Sequence, residues 1–162
     1  MEQIYNTIEE YRIQCLRVGR GHYEAGETLA RKELLLGGSV IGLSTLVATA
    51  LFATLSSGSN ILIRLVAALV AAATAVISAL ETFLGLSRRS EAHKAAGSHY
   101  GSVRRELEIL NLDLRESVIA AEQALERLKE IITRLSTLAD NSPHLPGKFY
   151  KQQAVEYPAG KS

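Results

Sequence analysis

The chain has 162 residues, a hydrophobic fraction of 47% and a net charge of +1. A net charge this close to zero gives no electrostatic attraction to nucleic acid. The sequence also has no basic run interleaved with aromatic residues, the pattern of proteins that bind along a phosphate backbone. The single cysteine, Cys15, excludes an intramolecular disulfide. The amino terminus has no basic region leading into a short apolar core, so we expect no cleavable signal peptide.

Residues 1–33 are predicted to form a helical arm. The side chains of one face recur at alternating steps of four and three, the spacing of a helix that packs against a partner helix. Gly19, Gly21 and Gly26 each weaken such a helix by up to about 1 kcal/mol relative to alanine, so we expect packing to hold the arm. The predicted face consists of Ile4, Ile8, Tyr11, Cys15, Val18, His22, Ala25 and Leu29.

Two long apolar runs meet at a polar turn, residues 56–60. The first run, 34–55, has no ionisable residue and is long enough to cross a bilayer, which takes roughly 20 residues at about 1.5 Å each. The second run, 61–86, is also long enough and carries Arg64 near one end and Glu81 near the other. The sequence therefore predicts a two-span transmembrane hairpin.

The distribution of Lys and Arg predicts the orientation of this hairpin. Within twenty residues outside it, four basic residues precede the first span and five follow the second, against one, Arg64, beside the turn. By the positive-inside rule both termini lie in the cytosol, the turn faces out, and the hairpin lies in the cytoplasmic membrane. A soluble helical bundle with an unusually apolar hairpin is the competing interpretation. The nine flanking residues are Arg17, Arg20, Arg31, Lys32, Arg88, Arg89, Lys94, Arg104 and Arg105.

Both spans carry stripes of small residues, which let helices approach closely. The stripe of the first span begins with a GxxxG motif and continues at steps of three and four. Ordinary packing inside the hairpin is one interpretation, and packing of one protomer against another is the second. The transmembrane packing candidates are Gly38, Gly42, Thr45, Thr49, Ala67 and Ala71.

Glu81 is the one acidic residue inside the second apolar run. Its carboxylate lies near the predicted cytosolic end, where it can reach the interface, pair with Arg88 or hydrogen-bond a neighbouring helix. Alternatively, polar side chains near Glu81 form rings around an axis in an oligomer, and a ring of carboxylates favours cations. The pore-lining candidates are Thr74, Ser78, Glu81 and Thr82.

Residues 87–140 are predicted to form a long cytosolic helix with a heptad rhythm that is interrupted once, between Leu114 and Val118. The N-terminal arm is long enough to cover this helix only as far as about Val118, at 1.5 Å per residue. We therefore expect residues 119–139 to leave the intramolecular pair and assemble with neighbouring protomers, or to dock a partner. Folding back onto the arms is the alternative. The cytosolic oligomerisation candidates are Leu125, Leu128, Ile132 and Leu135.

Residues 141–162 are predicted to be a flexible tail, because Asn141, Ser142 and Pro143 end the helix.

No catalytic or cofactor-binding constellation is recognisable in the sequence. The four histidines show no HExxH spacing, and no glycine-rich segment is followed by the lysine and serine of a phosphate loop. His22 and His93 would lie at similar distances from the membrane on antiparallel arms, where they either share a metal or form a packed or hydrogen-bonded pair. The second arrangement is the commoner one. We therefore expect no metal, no cofactor and no enzymatic activity.

One region resembles a known protein family. The second span ends in the sequence Ala-Leu-Glu-Thr-Phe-Leu (79–84), which is followed by Ser-Glu-Ala-His-Lys-Ala-Ala (90–96), then by Tyr100 and by Arg-Arg-Glu-Leu (104–107). Together with two spans and helical arms, these residues resemble the SLATT family, the SMODS- and SLOG-associating two-transmembrane effectors of bacterial conflict systems. The resemblance covers about residues 15–115.

The resemblance implies an antiphage membrane effector that is encoded beside a partner sensor and opens a pore that kills or arrests the infected cell. From the residues themselves we expect an all-α membrane protein in a lipid bilayer, in which a two-transmembrane helical hairpin (34–86) is continuous with long cytosolic helical arms that form a coiled-coil-like bundle. We also expect a homo-oligomer. A pore, a holin-like permeabiliser and a non-conducting membrane anchor or scaffold for a cytosolic partner all agree with that reading.

Overall fold

A computed structural model describes residues 2–56 and 61–156, and every regular element within those ranges is an α-helix. This confirms the predicted all-α fold. The described residues form two compact units: the hairpin unit within 28–88, and the bundle unit of 2–27 and 89–156. Residues 57–60 of the predicted turn lie outside the described ranges. The helices are α1 (Glu2–Ser56), α2 (Ile61–Leu84), α3 (Leu86–Arg115), α4 (Ala121–Asn141) and α5 (Gly147–Glu156).

The hairpin unit contains the two apolar runs. Both α1 and α2 contain segments that are long and apolar enough to cross a membrane. Large apolar side chains on both helices are exposed, with Leu34 76% and Phe83 86% accessible. Such a surface is unfavourable in water and suited to lipid, because a lipid-facing helix satisfies its backbone internally and has no need to bury its apolar side chains against protein. The hairpin unit is therefore that of a membrane protein, and the soluble-bundle interpretation does not fit it.

A glycine in the left-handed region ends α2. Gly85 has a φ of +53°, and its N–H donates a hydrogen bond to the carbonyl of Glu81 at 3.3 Å. Glycine adopts this conformation without the steric cost of a Cβ atom, which makes it the usual residue just past a helix C-terminus. Helix α2 therefore ends at Leu84, two residues before residue 86, where the second apolar run was predicted to end.

The core of the bundle unit is built from α1, α3 and α4. The predicted face of the arm is confirmed, because Ile8, Cys15, His22 and Ala25 are buried. On α3 the heptad positions point into the same core and supply half of its buried residues. The core residues are Ile8, Cys15, Tyr100, Val103, Leu107, Leu110, Leu114, Ala124, Leu128 and Ile131.

Glycines mark the places where α1 and α3 approach most closely. A Cβ atom added at Gly97 would lie 3.0 Å from the carbonyl oxygen of Gly19. One added at Gly26 would lie 3.0 Å from the carbonyl oxygen of Ser90, and the Ser90 hydroxyl donates to the Gly26 carbonyl at 2.8 Å. Contacts with α3 thus compensate for the low helix propensity of these glycines, as we expected from the sequence.

The prediction of one continuous helix over 87–140 is wrong, because the chain reverses direction at residues 116–120. The N–H of Val118 donates to the carbonyl of Asp113 at 2.9 Å, and that of Ser117 donates to Leu114 at 3.3 Å. This pair of bonds, with Ser117 at a φ of +53°, is a Schellman motif, which ends a helix and turns the chain. The interruption of the heptad rhythm coincides with this turn.

The apolar seam of α4, which contains the predicted oligomerisation residues, folds back onto α1 and α3. Residues 119–139 therefore do not leave the intramolecular bundle. Leu128 is only 2% exposed, and Ile132 and Leu135 pack against the core. Leu125 lies at the edge and is 41% exposed. Three of the four predicted oligomerisation residues are therefore packed within the chain, which is the alternative arrangement. The reason is that the reversal after α3 brings α4 alongside the apolar faces that the N-terminal arm leaves uncovered.

Charged residues beside the seam pair with α3. Arg134 forms an ion pair with Glu106, and Arg127 pairs with Asp113 at 3.4 Å. These pairs are more than a quarter exposed, and pairs of that kind contribute about 0–1 kcal/mol each. Their main effect is to favour one register of α4 on α3.

The prediction of a flexible tail after residue 141 is wrong for residues 147–156, which form α5. The segment that precedes it contains Pro143 and Pro146, and α5 is anchored by Gln153, which is 1% exposed. The Nε2 atom of Gln153 donates to the Glu24 carboxylate at 2.7 Å. Tertiary contacts with α1, rather than a strong amphipathic pattern, therefore hold this short helix.

Candidate functional site

The small-residue stripe of the first span lies on the face of α1 that is turned away from α2. Gly38, Gly42, Thr45 and Thr49 are all exposed, and a Cβ atom added at either glycine would meet nothing within 4 Å. At 100° per residue, the half-buried residues of α1 lie on the opposite side of the helix. The stripe is therefore free for another helix. The half-buried residues of the first span are Leu36, Gly37, Val40, Leu43, Val47 and Ala50.

The small residues of the second span behave differently, because they pack inside the hairpin. Ala67 is buried and Ala71 is half-buried. Thr74 is also buried, and its hydroxyl donates to the carbonyl of Val70 at 2.8 Å. The α2 stripe therefore packs inside the hairpin, whereas the α1 stripe faces outward. Packing of one protomer against another through the α1 stripe stays a prediction.

Two of the pore-lining candidates are turned toward α1 and two are exposed. Thr74 lies in the hairpin interface, and the Glu81 carboxylate lies against Gly37, with its Oε1 atom 3.1 Å from where a Cβ atom on that glycine would be. Ser78 and Thr82 are exposed, and the Thr82 hydroxyl donates to the Ser78 carbonyl at 3.1 Å. The absence of a side chain at Gly37 gives the carboxylate its space.

An apolar cavity of about 430 Å³ lies between residues 43–50 of α1 and 62–70 of α2. Its walls are leucine, isoleucine, valine and alanine side chains, among them Leu46, Ala50 and Val66. A void of this size forfeits the dispersion contacts of its lining unless something fills it. In a bilayer, an acyl chain or a neighbouring helix is able to do so.

The bundle unit contains a buried pair of histidines. His22 of α1 and His93 of α3 face each other with their Nδ1 atoms 2.9 Å apart, and both side chains are buried. One Nδ1 donates the hydrogen bond and the other accepts it, which requires at least one of the two rings to be neutral. The ring of Tyr100 stacks on His22, with the ring centroids 5.7 Å apart.

Burial sets the titration of this cluster. Desolvation, followed by repulsion from His93, lowers the pKa of His22 to about 4. Desolvation, followed by the charge of Arg89, also lowers the pKa of His93. Burial raises the pKa of Tyr100, and a hydrogen bond with Ser142 acts in the opposite direction. Both histidines are therefore neutral at pH 7.

The histidine pair is the hydrogen-bonded alternative that the sequence allowed. Among residues 2–56 and 61–156, no group of three or more His, Cys, Asp or Glu side chains is arranged to hold a metal ion. Sequence reasoning missed the contribution of α5 to the surroundings of the pair, because nothing in residues 147–156 marks a docked helix.

Cys15 lies deep in the bundle, beneath α4. It is 1% exposed, and burial raises the pKa of its thiol to about 11. The thiolate is the reactive form of cysteine, so this side chain reacts slowly while the bundle is closed. Its rate of modification is therefore a measure of how often the bundle opens.

A family model described as SMODS and SLOG-associating 2TM effector domain family 4 matches residues 7–156. The chain belongs to the SLATT family. The match extends the resemblance seen over residues 15–115 to nearly the whole chain, including α4 and α5. No curated protein and no solved structure matches this SLATT protein. The family description makes it an effector domain with two transmembrane helices that is associated with SMODS and SLOG systems.

Proposed function

We propose that this SLATT protein is a non-enzymatic antiphage effector that assembles in the cytoplasmic membrane and opens a pore when a partner sensor triggers it. Family membership supports the effector role. The observation that carries the pore is the hairpin itself, in which the glycine-containing stripe of α1 faces outward while polar side chains line part of α2. Such a hairpin has a face for assembly and the groups for an aqueous path.

The proposed orientation has both termini in the cytosol. It rests on the nine basic residues that flank the hairpin, compared with the single Arg64 beside the turn. In this orientation the bundle unit is on the side where a cytosolic sensor acts.

The proposed assembly uses Gly38, Gly42, Thr45 and Thr49. Transmembrane helices associate through small residues because close approach of the backbones increases dispersion contacts and allows interhelical hydrogen bonds. The hydroxyls of Thr45 and Thr49 bond to their own helix, at 2.9 Å to the carbonyls of Ile41 and Thr45. The stripe therefore presents no unpaired hydroxyl proton to lipid before assembly.

The proposed conducting path follows Thr74, Ser78, Glu81 and Thr82. Because Thr74 and Glu81 are turned toward α1, a rotation or separation of the two helices would be the opening step that brings them to a shared axis. A ring of Glu81 carboxylates would then favour cations.

A non-conducting membrane scaffold for a cytosolic partner is the second candidate, and the exposed face of the hairpin serves it equally well. Membrane potential separates the two. The chain is expressed together with its genomic neighbour, and a voltage-sensitive dye follows the potential after phage infection. A pore predicts depolarisation that begins before lysis, whereas an unchanged potential after triggering would favour the scaffold.

Replacing Glu81 with glutamine is expected to weaken cation preference or toxicity while membrane insertion stays intact. The amide keeps the size of the carboxylate beside Gly37 but removes its charge. The measurement is the reversal potential across a planar bilayer under a salt gradient, together with the dye response in cells. Glu126→Gln, at an exposed position of α4, is the matched control for loss of one charge. Conductance and toxicity equal to those of the unaltered protein would assign Glu81 a structural role.

A further inference from the structure

The C-terminal helix α5 is held on α1 by a small number of specific contacts. Gln153 is buried and bonds to Glu24, and Gln152 approaches the same carboxylate at 3.5 Å. Leu145, in the segment before α5, occupies the space above Gly21: a Cβ atom added to that glycine would lie 2.9 Å from the Leu145 Cδ2 atom. The Oε1 atom of Gln153 is buried without a hydrogen-bond partner. This unpaired acceptor weakens the attachment of α5 to α1.

α5 also forms one wall of a solvent-open cavity of about 500 Å³ that is lined by His22 of the histidine pair. His22 and Tyr100 line the cavity from α1 and α3, and Gly147 and Tyr150 line it from α5. His22 is only 2% exposed while α5 is docked, and release of α5 removes this wall and uncovers the ring. A helix of ten residues is marginal by itself, since isolated helices shorter than about 12–15 residues are rarely stable in water, so leaving and unfolding are one event.

We propose that α5 is a releasable strap: docked on α1 it keeps His22 of the His22–His93 pair covered and the pair neutral, and its release exposes His22 to water and lets the pair take up one proton. The strap therefore couples the position of the C-terminal segment to pH. This inference concerns the bundle unit by itself and does not depend on the proposed pore.

The charges around the pair determine the direction of the coupling. Arg89 on α3 opposes a positive charge on His93, and His144 in the segment before α5 lines the cavity together with His22. Tyr100, also in the cavity wall, is neutral near pH 7, because burial raises its pKa. No aspartate or glutamate among the described residues lines this cavity, so a proton on the pair has no facing carboxylate there. The pair accommodates one proton, because one ring then donates to the other, but a second proton would leave two donors facing each other at 2.9 Å.

The sign of the pH effect follows from the depressed pKa of His22. With α5 docked, burial and His93 lower the pKa of His22 to about 4, and its ordinary value of 6.5 is the upper limit toward which the pKa rises when the ring is hydrated. The undocked state therefore binds more protons between pH 6.5 and pH 4, and docking weakens as the pH falls through that interval. With these two pKa values, the equilibrium constant for docking of α5 is up to about 30-fold smaller at pH 5 than at pH 7.5.

The test is hydrogen exchange of the full-length protein in detergent, followed by mass spectrometry and expressed as protection factors so that the intrinsic pH dependence of exchange is divided out. Protection of the amides in 147–156 is expected to fall by up to about 30-fold between pH 7.5 and pH 5. Protection around Leu107, in the centre of the core, is expected to stay constant. Protection of α5 that does not change with pH would overturn the proposal.

Variants that release α5 at pH 7.5 test the coupling in the other direction. Gly21→Leu fills the space of Leu145, and Gln153→Ala removes the buried amide that binds Glu24. Gly101→Leu is the matched control, because the nearest atom to an added Cβ atom there is the Arg105 guanidinium at 4.0 Å. NMR titration of the His22 ring is expected to show its midpoint rising from about 4 toward 6.5 in both release variants and unchanged in the control. An unmoved midpoint after α5 has lost its protection would also refute the strap.

Discussion

Replacing Leu128 with alanine is expected to destabilise the bundle unit by about 2–5 kcal/mol, the usual cost of truncating a fully buried leucine. Leu128 is 2% exposed and packs in the core. The matched variant, Leu125→Ala, lies one turn earlier on α4 at a position that is 41% exposed, and we expect a loss below about 1 kcal/mol there. The contrast depends on α4 folding back, because a seam exposed for assembly would make the two positions similar.

Cys15 provides the measurement. Its thiol reacts only when the bundle opens, so the labelling rate in the native protein reports the population of open molecules. A loss of 2 kcal/mol raises that population about 30-fold, since each 1.4 kcal/mol is a factor of ten. We therefore expect labelling at least about 30-fold faster in Leu128→Ala than in the unaltered chain, and a much smaller change in Leu125→Ala. Equal acceleration in both variants would contradict the packing of α4.

Replacing Gly42 with leucine is expected to abolish assembly in the membrane and, with it, depolarisation. The added side chain projects from the outward face of α1, where a Cβ atom meets nothing within the chain, so the hairpin itself should fold normally. A partner helix packed against the stripe would be pushed away, because close approach is what small residues permit. Ser44→Leu adds a leucine at an exposed position on a different face and is the matched control.

Light scattering in mild detergent gives the oligomer size of the two variants, and the voltage-sensitive dye gives their activity. The Ser44 variant should assemble and depolarise like the unaltered chain, whereas the Gly42 variant should be smaller and inactive. Assembly that is intact in the Gly42 variant would show that the stripe is not the contact between protomers.

Elements with a strong periodic signal were predictable from the sequence. The buried face of the arm matches the spacing of Ile8, Cys15 and His22, because a regular helix leaves little freedom once its partner is fixed. The two apolar runs also correspond to α1 and α2. Even the interrupted heptad near Leu114 was a true signal, although it marked a reversal of the chain rather than the loss of a partner.

The reversal itself was missed for a chemical reason. Glycine or asparagine commonly occupies the left-handed position after a helix, but here Ser117 does so. The next helix begins after Ala120, which has no side-chain oxygen to cap it. Neither end of the turn therefore carried the residue that sequence reasoning looks for. α5 was missed because its stability comes from contacts with Glu24 and Gly21, which are distant in sequence.

The residues of the candidate site in the hairpin were predicted from the sequence, but the helix that they face was not. Thr74, Ser78 and Glu81 do share one side of α2, as helical spacing requires. Which neighbour covers that side is a property of the pair of helices, and in this chain α1 covers Thr74 and Glu81. The space that Gly37 leaves for the Glu81 carboxylate depends on how α1 packs against α2, which helical spacing within α2 does not determine.

The most direct test of the account is the accessibility of single cysteines in intact cells to a maleimide reagent that does not cross membranes. Cysteines are introduced at Gly58, Glu2 and Lys148, and the buried Cys15 serves as the unreactive background. A hairpin with both termini in the cytosol predicts labelling at position 58 alone, and labelling at positions 2 and 148 only after the cells are permeabilised. Labelling of either terminus from outside, or recovery of the protein without detergent, would contradict the membrane hairpin on which the proposed function rests.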